Sequence, residues 1–211
     1  MIYAENILIC IAVPFLISLI FLRKQARMFA VTFLLGMGVC LLGAYIGGFI
    51  HLVSGMSEND TAVFLSPVIE ELMKFMPLFF YLYLFRPDED SLLLAGIGIG
   101  TGFALFENCC YILSSGAESL PYILIRGLAV GVMHIVSMVT LALCITLALR
   151  FRALTFSSVT GALSLSMTFH GLYNLLVSGS GITVWVGYIL PVSVAFILYI
   201  PFKKLKNLEI L

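Results

Sequence analysis

Residues 66–77 read SPVIEELMKFMP, and they place Glu70, Glu71 and Lys74 inside an otherwise apolar run. The whole chain is apolar: of its 211 residues 62% are hydrophobic and only 10% are charged, and the mean hydropathy is +1.14. Soluble domains carry about 25% charged residues, so this composition indicates a polytopic membrane protein. A charged side chain at the centre of a bilayer costs roughly 2.5–3.5 kcal/mol. The three adjacent charges therefore indicate a function.

Seven apolar stretches are long enough to cross a bilayer, which takes about 20 residues per helix. They span residues 6–22, 28–53, 61–85, 91–113, 121–149, 155–177 and 182–201. The loops between them are short. We therefore expect an all-α bundle of about seven transmembrane helices that forms a single domain over residues 1–211.

Nine of the eleven basic residues lie in loops on one side of this predicted bundle, and the opposite loops have none. They are Arg23, Lys24, Arg27, Arg86, Arg150, Arg152, Lys203, Lys204 and Lys206. The positive-inside rule then predicts an N-terminus outside the cell and a cytoplasmic C-terminus. The first residues, MIYAEN, lack the basic charge of a cleavable signal peptide, and we expect none. The zero net charge gives no reason to expect a nucleic-acid partner.

Seven ionisable groups lie within the predicted spans, on four successive helices. They are Glu70, Glu71, Lys74, Glu107, Arg126, His134 and His170. Such groups are expensive in lipid unless they face one another or a water-filled cavity, so we expect them to converge on one polar site.

The third helix carries the densest charge. Lys74 follows Glu70 by four residues and Glu71 by three, so all three project to one side of the helix. A single ion pair would be enough to hold two helices together, and the second carboxylate exceeds that need. Two adjacent carboxylates repel, which favours a proton on one of them and suits acid–base chemistry. Pro67, one turn earlier, is expected to kink the helix and admit water.

The following helices add glycines and histidines. Glycines 96, 98, 100 and 102 form two overlapping GxxxG pairs, typical of close helix packing in lipid. Arg126 and His134 follow one ridge of the fifth helix, and His170 and Asn174 share a face of the sixth. The five cysteines show no CxxC spacing and are expected to act as small hydrophobic residues, and His51 is expected at the membrane interface.

These side chains suit hydrolysis inside a membrane, which needs water, a base and a group that stabilises the oxyanion. A glutamate pair supplies the base. Glu107, His134 and His170 have suitable side chains for a Zn²⁺ site, although there is no HExxH motif that would demand a metal. A secondary transporter that uses the same carboxylates and histidines as a proton relay is the alternative, and a catalytically silent scaffold is a third.

Three motifs resemble those of the PrsW family of intramembrane proteases. EELMK at 70–74, FALFE at 103–107 and HGLYN at 170–174 look like its EExxK, FxxxE and Hxxx(D/N) motifs, in the same order. The family is related to the CAAX prenyl endopeptidases, which have a histidine where this chain has Glu107, and this difference argues against CAAX processing.

The resemblance implies cleavage of a membrane-anchored protein, such as an anti-sigma factor, near the outer face of a bacterial plasma membrane. Glu70 and Glu71 would be the catalytic carboxylates and Lys74 would tune them. Asn174 would orient a partner, in a place where the family can have Asp. The other implied site residues are Glu107, Arg126, His134 and His170. The family has been described both as glutamic-type and as metal-dependent, and both mechanisms stay open at this point.

Overall fold

The computed structural model describes residues 4–115, 119–150 and 155–207, and across these ranges the chain is all-helical, as predicted. Seven helices of at least 15 residues follow one another in this part of the chain. They are α1 Ala4–Ser18, α2 Lys24–Ser54, α3 Ser66–Phe85, α4 Glu89–Ser115, α5 Leu120–Arg150, α6 Thr155–Val177 and α7 Ile182–Asn207. Arg152 and both ends of the predicted domain, residues 1–3 and 208–211, lie outside the described residues.

Four helical segments in the described part of the chain are long and apolar enough to cross a membrane. They are Lys24–Ser54, Glu89–Ser114, Leu120–Leu149 and Ile182–Tyr199. α1 has 15 residues, fewer than the roughly 20 that a bilayer requires. α3 has 20 residues but contains the three charges of its first half. The chain is thus a multi-pass membrane protein, and the predicted seven crossings remain a prediction.

The start of the third helix differs from the predicted residue 61. Glu58–Asp60 form one short helical turn, Thr61–Leu65 form a π-helical turn, and α3 begins only at Ser66. The Ser66 amide donates to the carbonyl of Thr61, five residues back. Pro67 explains the change, because it has no N–H for the regular ladder and is favoured in the first turn of an α-helix.

Glycines of α4 let this helix approach α2 on one side and α5 on the other. A Cβ atom at Gly102 would overlap the carbonyl oxygen of Phe33, and one at Gly98 would overlap the hydroxyl of Thr32. A Cβ at Gly100 would lie 2.8 Å from the carbonyl oxygen of His134. The predicted close packing is confirmed, and it brings Glu107 of α4 beside α5.

Candidate active site

Glu71 and Lys74 form an ion pair that is fully buried in the bundle. The Lys74 Nζ lies 2.6 Å from Glu71 Oε1 and 5.1 Å from the centre of the Phe103 ring. Ser137 of α5 donates its hydroxyl proton to Glu71 Oε2. Both carboxylate oxygens of Glu71 therefore have donors, as a buried charge requires.

His134 connects this ion pair to Glu107. Its Nδ1 lies 2.9 Å from Lys74 Nζ. An ammonium group can only donate, so Nδ1 accepts and the ring proton is on Nε2. Nε2 then donates to Glu107 Oε2 across 2.6 Å. Since the Glu107 side chain is 31% exposed, His134 links a buried charge pair to a carboxylate that water can reach.

Arg126 points towards Glu107 rather than out to the membrane surface. Its Nη2 lies 3.2 Å from Glu107 Oε1, and its guanidinium carbon lies 3.5 Å from the centre of the Tyr111 ring. Arg126 and His134, on one ridge of α5, therefore hold the two oxygens of one carboxylate between them.

His170 is oriented by Glu71 and faces Glu70. Its Nδ1 lies 2.9 Å from Glu71 Oε1, and because a carboxylate only accepts, Nδ1 is the donor. In the neutral ring Nε2 then carries the lone pair. It faces Glu70 Oε2 at 3.7 Å, too far for a hydrogen bond. Within the described residues, this oxygen of Glu70 is buried and has no hydrogen-bond partner.

Asn174 forms its hydrogen bond with the backbone and not with the carboxylates or histidines. Its Nδ2 donates to the carbonyl oxygen of Ala62 across 2.9 Å. In the π-helical turn this carbonyl would pair with the amide five residues on, which belongs to Pro67 and has no hydrogen. Asn174 replaces the missing donor and so ties α6 to the π-helical turn, eight residues before Glu70.

Two cavities meet at Glu70. One, of about 460 Å³, lies among α4, α5, α6 and α7, and its polar lining includes Glu107, Arg126 and Tyr111. The other, of about 380 Å³, lies between α2 and the start of α3, and its lining includes Gly47. Glu70 lines both, whereas Glu71 and Lys74 line neither. Glu70 therefore faces both cavities, whereas the ion pair behind it is fully buried.

Sequence reasoning missed Ser137, which binds Glu71. Its position three residues after His134 places it on the same face of α5, and this spacing was the available signal. Sequence reasoning placed His51 at the interface, and the structure shows it hydrogen-bonded to Thr61 Oγ1 at 2.8 Å, on the wall of the smaller cavity. All five cysteines are free.

Glu70, His134 and His170 form a group that could hold a metal ion. Each offers one ligand atom, and these atoms lie within 4.8 Å of one another. Two histidines and one glutamate are a donor set of catalytic zinc sites, and a carboxylate on the far nitrogen of a ligating histidine, as Glu71 is on His170, is the usual supporting contact. The predicted set had Glu107 in place of Glu70. In the structure Glu107 lies on His134 Nε2 instead.

The charge balance of the site also fits a cation. Glu71 pairs with Lys74, and Glu107 pairs with Arg126. Glu70 has no lysine or arginine partner in the described part of the chain, and His170 Nε2 lies 3.7 Å from its Oε2. A buried carboxylate without a paired charge is costly unless it is protonated or binds a cation. Glu70 and His170 each present a free ligand atom. Both ring nitrogens of His134 are hydrogen-bonded, so this residue could bind a metal only if its contact with Lys74 or with Glu107 were broken.

Residues 24–202 match the PrsW family of intramembrane metalloproteases. No curated protein and no solved structure matches the chain. The match covers most of the 211 residues, including every helix that contributes to the site. It confirms the resemblance to this family and the prediction of an enzyme rather than a transporter or a scaffold. The chain therefore belongs to the PrsW family and is an intramembrane endopeptidase.

Proposed function

We propose that this protein hydrolyses a peptide bond of a membrane-anchored protein and that its own Glu70 carboxylate is the reacting group. The supporting observation is the Glu70 carboxylate oxygen that is buried, has no hydrogen-bond partner among the described residues, and lies 3.7 Å from His170 Nε2. A carboxylate in this state can accept a proton or bind a cation, and two cavities connect it to water.

In this proposal Glu70 is the general base and later the acid. It takes a proton from the water that attacks the scissile carbonyl carbon, and it gives this proton to the leaving amide nitrogen as the C–N bond breaks. Glu71 is unsuited to this role. Its Oε1 accepts from Lys74 and His170, and its Oε2 accepts from Ser137, so no free oxygen faces a cavity.

Glu71 and Lys74 act as positioning residues. Glu71 fixes the His170 ring so that Nε2 faces Glu70, and Lys74 holds Nδ1 of His134. Asn174 fixes the π-helical turn that precedes α3, the helix that carries Glu70. Side chains locked by such contacts keep a reacting group close to its productive geometry.

With a divalent metal ion such as Zn²⁺, Glu70, His134 and His170 would hold the ion, and Glu70 would then serve as a ligand instead of as the general base. When bound there, the ion would act as a Lewis acid on the substrate carbonyl and make water more acidic. His134 Nε2 would bind the ion only after losing its proton and its contact with Glu107, so Glu107, which Arg126 holds, would control this ligand.

The substrate that we propose is a single-pass membrane protein such as an anti-sigma factor, cut near the outer face of a bacterial plasma membrane. Both cavities lie at one end of the bundle, beside the α2–α3 connection and the end of α6. Tyr111, Tyr122 and Tyr188 line the larger cavity. Tyrosine is a residue that favours the membrane–water interface, which supports cleavage close to that surface.

The proposed topology has seven crossings with the N-terminus outside, because the loops that follow α1 and α3 are basic and those that follow α2 and α6 are not. We expect a cysteine at Ser180, in a background without the five native cysteines, to react with an impermeant thiol reagent on intact cells. A cysteine at Asp90 should react only after permeabilisation. The reverse pattern would refute this orientation.

The proposed activity is tested in proteoliposomes that contain the purified protein and a single-pass substrate with an extracytoplasmic stalk. We expect cleavage of the substrate at one juxtamembrane site, with no proton or cation flux across the vesicle. A substrate whose stalk is moved away from the membrane by a rigid helical spacer is the matched control and should be cut more slowly, because its peptide bond no longer reaches the cavities. Flux without cleavage would refute the proposed activity.

A further inference from the structure

A third cavity lies between α2 and α3, away from the active site. It is a groove of about 730 Å³, larger than the two cavities at Glu70. Its walls are apolar side chains such as Val31, Leu35, Met76 and Phe80. This volume is within the range of roughly 300–1,000 Å³ that is typical of ligand sites. None of the proposed active-site residues lines it.

α2 and α3 contact each other beyond one end of the groove and again at its back. Near the active site a Cβ at Gly43 would lie 3.5 Å from Met73 Cγ. Further along, the hydroxyl of Tyr81 reaches Met28 Sδ at 2.8 Å and closes the back of the groove. The walls in front stay open, with Leu35 45% and Phe80 49% exposed. In a membrane such an apolar opening faces acyl chains.

Positive charge is concentrated at only one end of this groove. Lys24 and Arg27, in the first turn of α2, belong to its lining, and neither forms an ion pair with a described residue. The Nε of Arg27 donates to the Leu22 carbonyl across 2.9 Å, which orients the guanidinium while leaving its Nη atoms available. These two cations lie at the start of α2, where the apolar walls end, and the proposed topology puts this end at the cytoplasmic surface of the membrane.

Backbone strain is found at the same end. Among the described non-glycine residues, only Lys24 and Arg86 have positive φ angles, of 47° and 45°. Lys24 begins α2, and Arg86 directly follows α3 and the lining residue Phe85. Strained residues of this kind are common at ligand clamps.

We infer that the groove binds one anionic phospholipid, with an acyl chain between α2 and α3 and its phosphate on Lys24 and Arg27. A zwitterionic lipid would fill the apolar part equally well, but its headgroup cation would meet the two basic side chains. Basic pockets between transmembrane helices on the cytoplasmic side bind anionic headgroups, and the proposed topology places this end there. Met76 and Pro77 in the wall follow Lys74 within one turn, so the lipid packs directly against the helix that carries the site.

The test is native mass spectrometry of the purified full-length protein with equal amounts of phosphatidylglycerol and phosphatidylcholine. We expect one retained phosphatidylglycerol, preferred by roughly thirtyfold if each basic residue contributes as at other anionic membrane surfaces. Arg27→Gln should reduce this preference by about fivefold. Arg23→Gln removes the same charge from an exposed residue of the same segment outside the groove, and it should change little.

A second pair of variants tests the apolar part. Leu35→Trp fills the groove and should abolish retention of both lipids, whereas Leu42→Trp, on an exposed face of α2 outside the groove, should not. Equal retention of the two lipids by the wild-type protein would overturn the proposal. Equal losses in Arg23→Gln and Arg27→Gln, or in the two tryptophan variants, would overturn it as well. The readout is lipid retention, so it does not depend on proteolytic activity.

Discussion

Glu70→Gln is expected to reduce substrate cleavage by about 100-fold or more, the lower range for a lost general acid or base. The carboxylate faces two cavities and has no hydrogen-bond partner among the described residues, so its charge serves no structural contact that an amide would break. Thermal stability, measured after chelation so that metal-free forms are compared, should therefore stay the same or rise. The measurement is the initial rate of cleavage in proteoliposomes beside a thermal unfolding curve.

The neighbouring Glu71→Gln is the matched control, because the same substitution meets the opposite environment. It removes the negative charge from a fully buried ion pair, and an unpaired buried charge costs about 3–5 kcal/mol. In a chain of this size such a loss lowers the unfolding temperature by on the order of 10 °C. Cleavage should fall as well, because His170 Nδ1 loses its charged acceptor.

Glu71→Gln/Lys74→Met separates the two effects of the control. Removing both charges leaves no unpaired ion, so most of the stability should return. Activity should not return, since His170 is still poorly oriented. If Glu70→Gln cleaved at the wild-type rate, Glu70 would be neither the base nor a ligand. If Glu71→Gln were as stable as the wild type, Glu71 and Lys74 would not form the buried pair described above.

The different environments of Glu70 and Glu71 show where sequence reasoning stops. Spacing alone allows Lys74 to pair with Glu70 at i,i+4 or with Glu71 at i,i+3. The structure selects Glu71, because the rotation of α3 turns this residue towards Ser137 and His170 and turns Glu70 towards the cavities. That rotation depends on packing between helices distant in sequence, which no local pattern records.

The helices themselves could be predicted, because their lengths follow from hydropathy and from the bilayer. The prediction failed at the start of α3, where the chain forms a π-helical turn. Pro67 signals a change in the helix, but the Ala62 carbonyl is satisfied by Asn174, 112 residues later. The function of this asparagine as a tie between α6 and α3 could therefore be found only from the structure.

The metal ion provides the second large expected effect. We expect purified protein to carry about one equivalent of a divalent metal, and we expect removal of this ion by a chelator to abolish cleavage and added Zn²⁺ to restore it. The reason is the group of Glu70, His134 and His170, whose ligand atoms lie within 4.8 Å of one another beside an unpaired carboxylate. Metal content by elemental analysis and cleavage rate are measured on the same samples.

Variants then identify the ligands. Glu70→Ala and His170→Ala should lose the ion, because they remove the two free ligand atoms of the group. Glu107→Ala should keep the ion, because this substitution removes a side chain that competes for His134 Nε2 and does not remove a ligand. His51→Ala, at the remaining histidine of the chain, is the control for non-specific binding and should also keep the ion. Loss of the ion in Glu107→Ala but not in Glu70→Ala would favour the set of Glu107, His134 and His170. Full activity of a metal-free sample would show that Glu70 activates water without an ion, as a glutamic protease does.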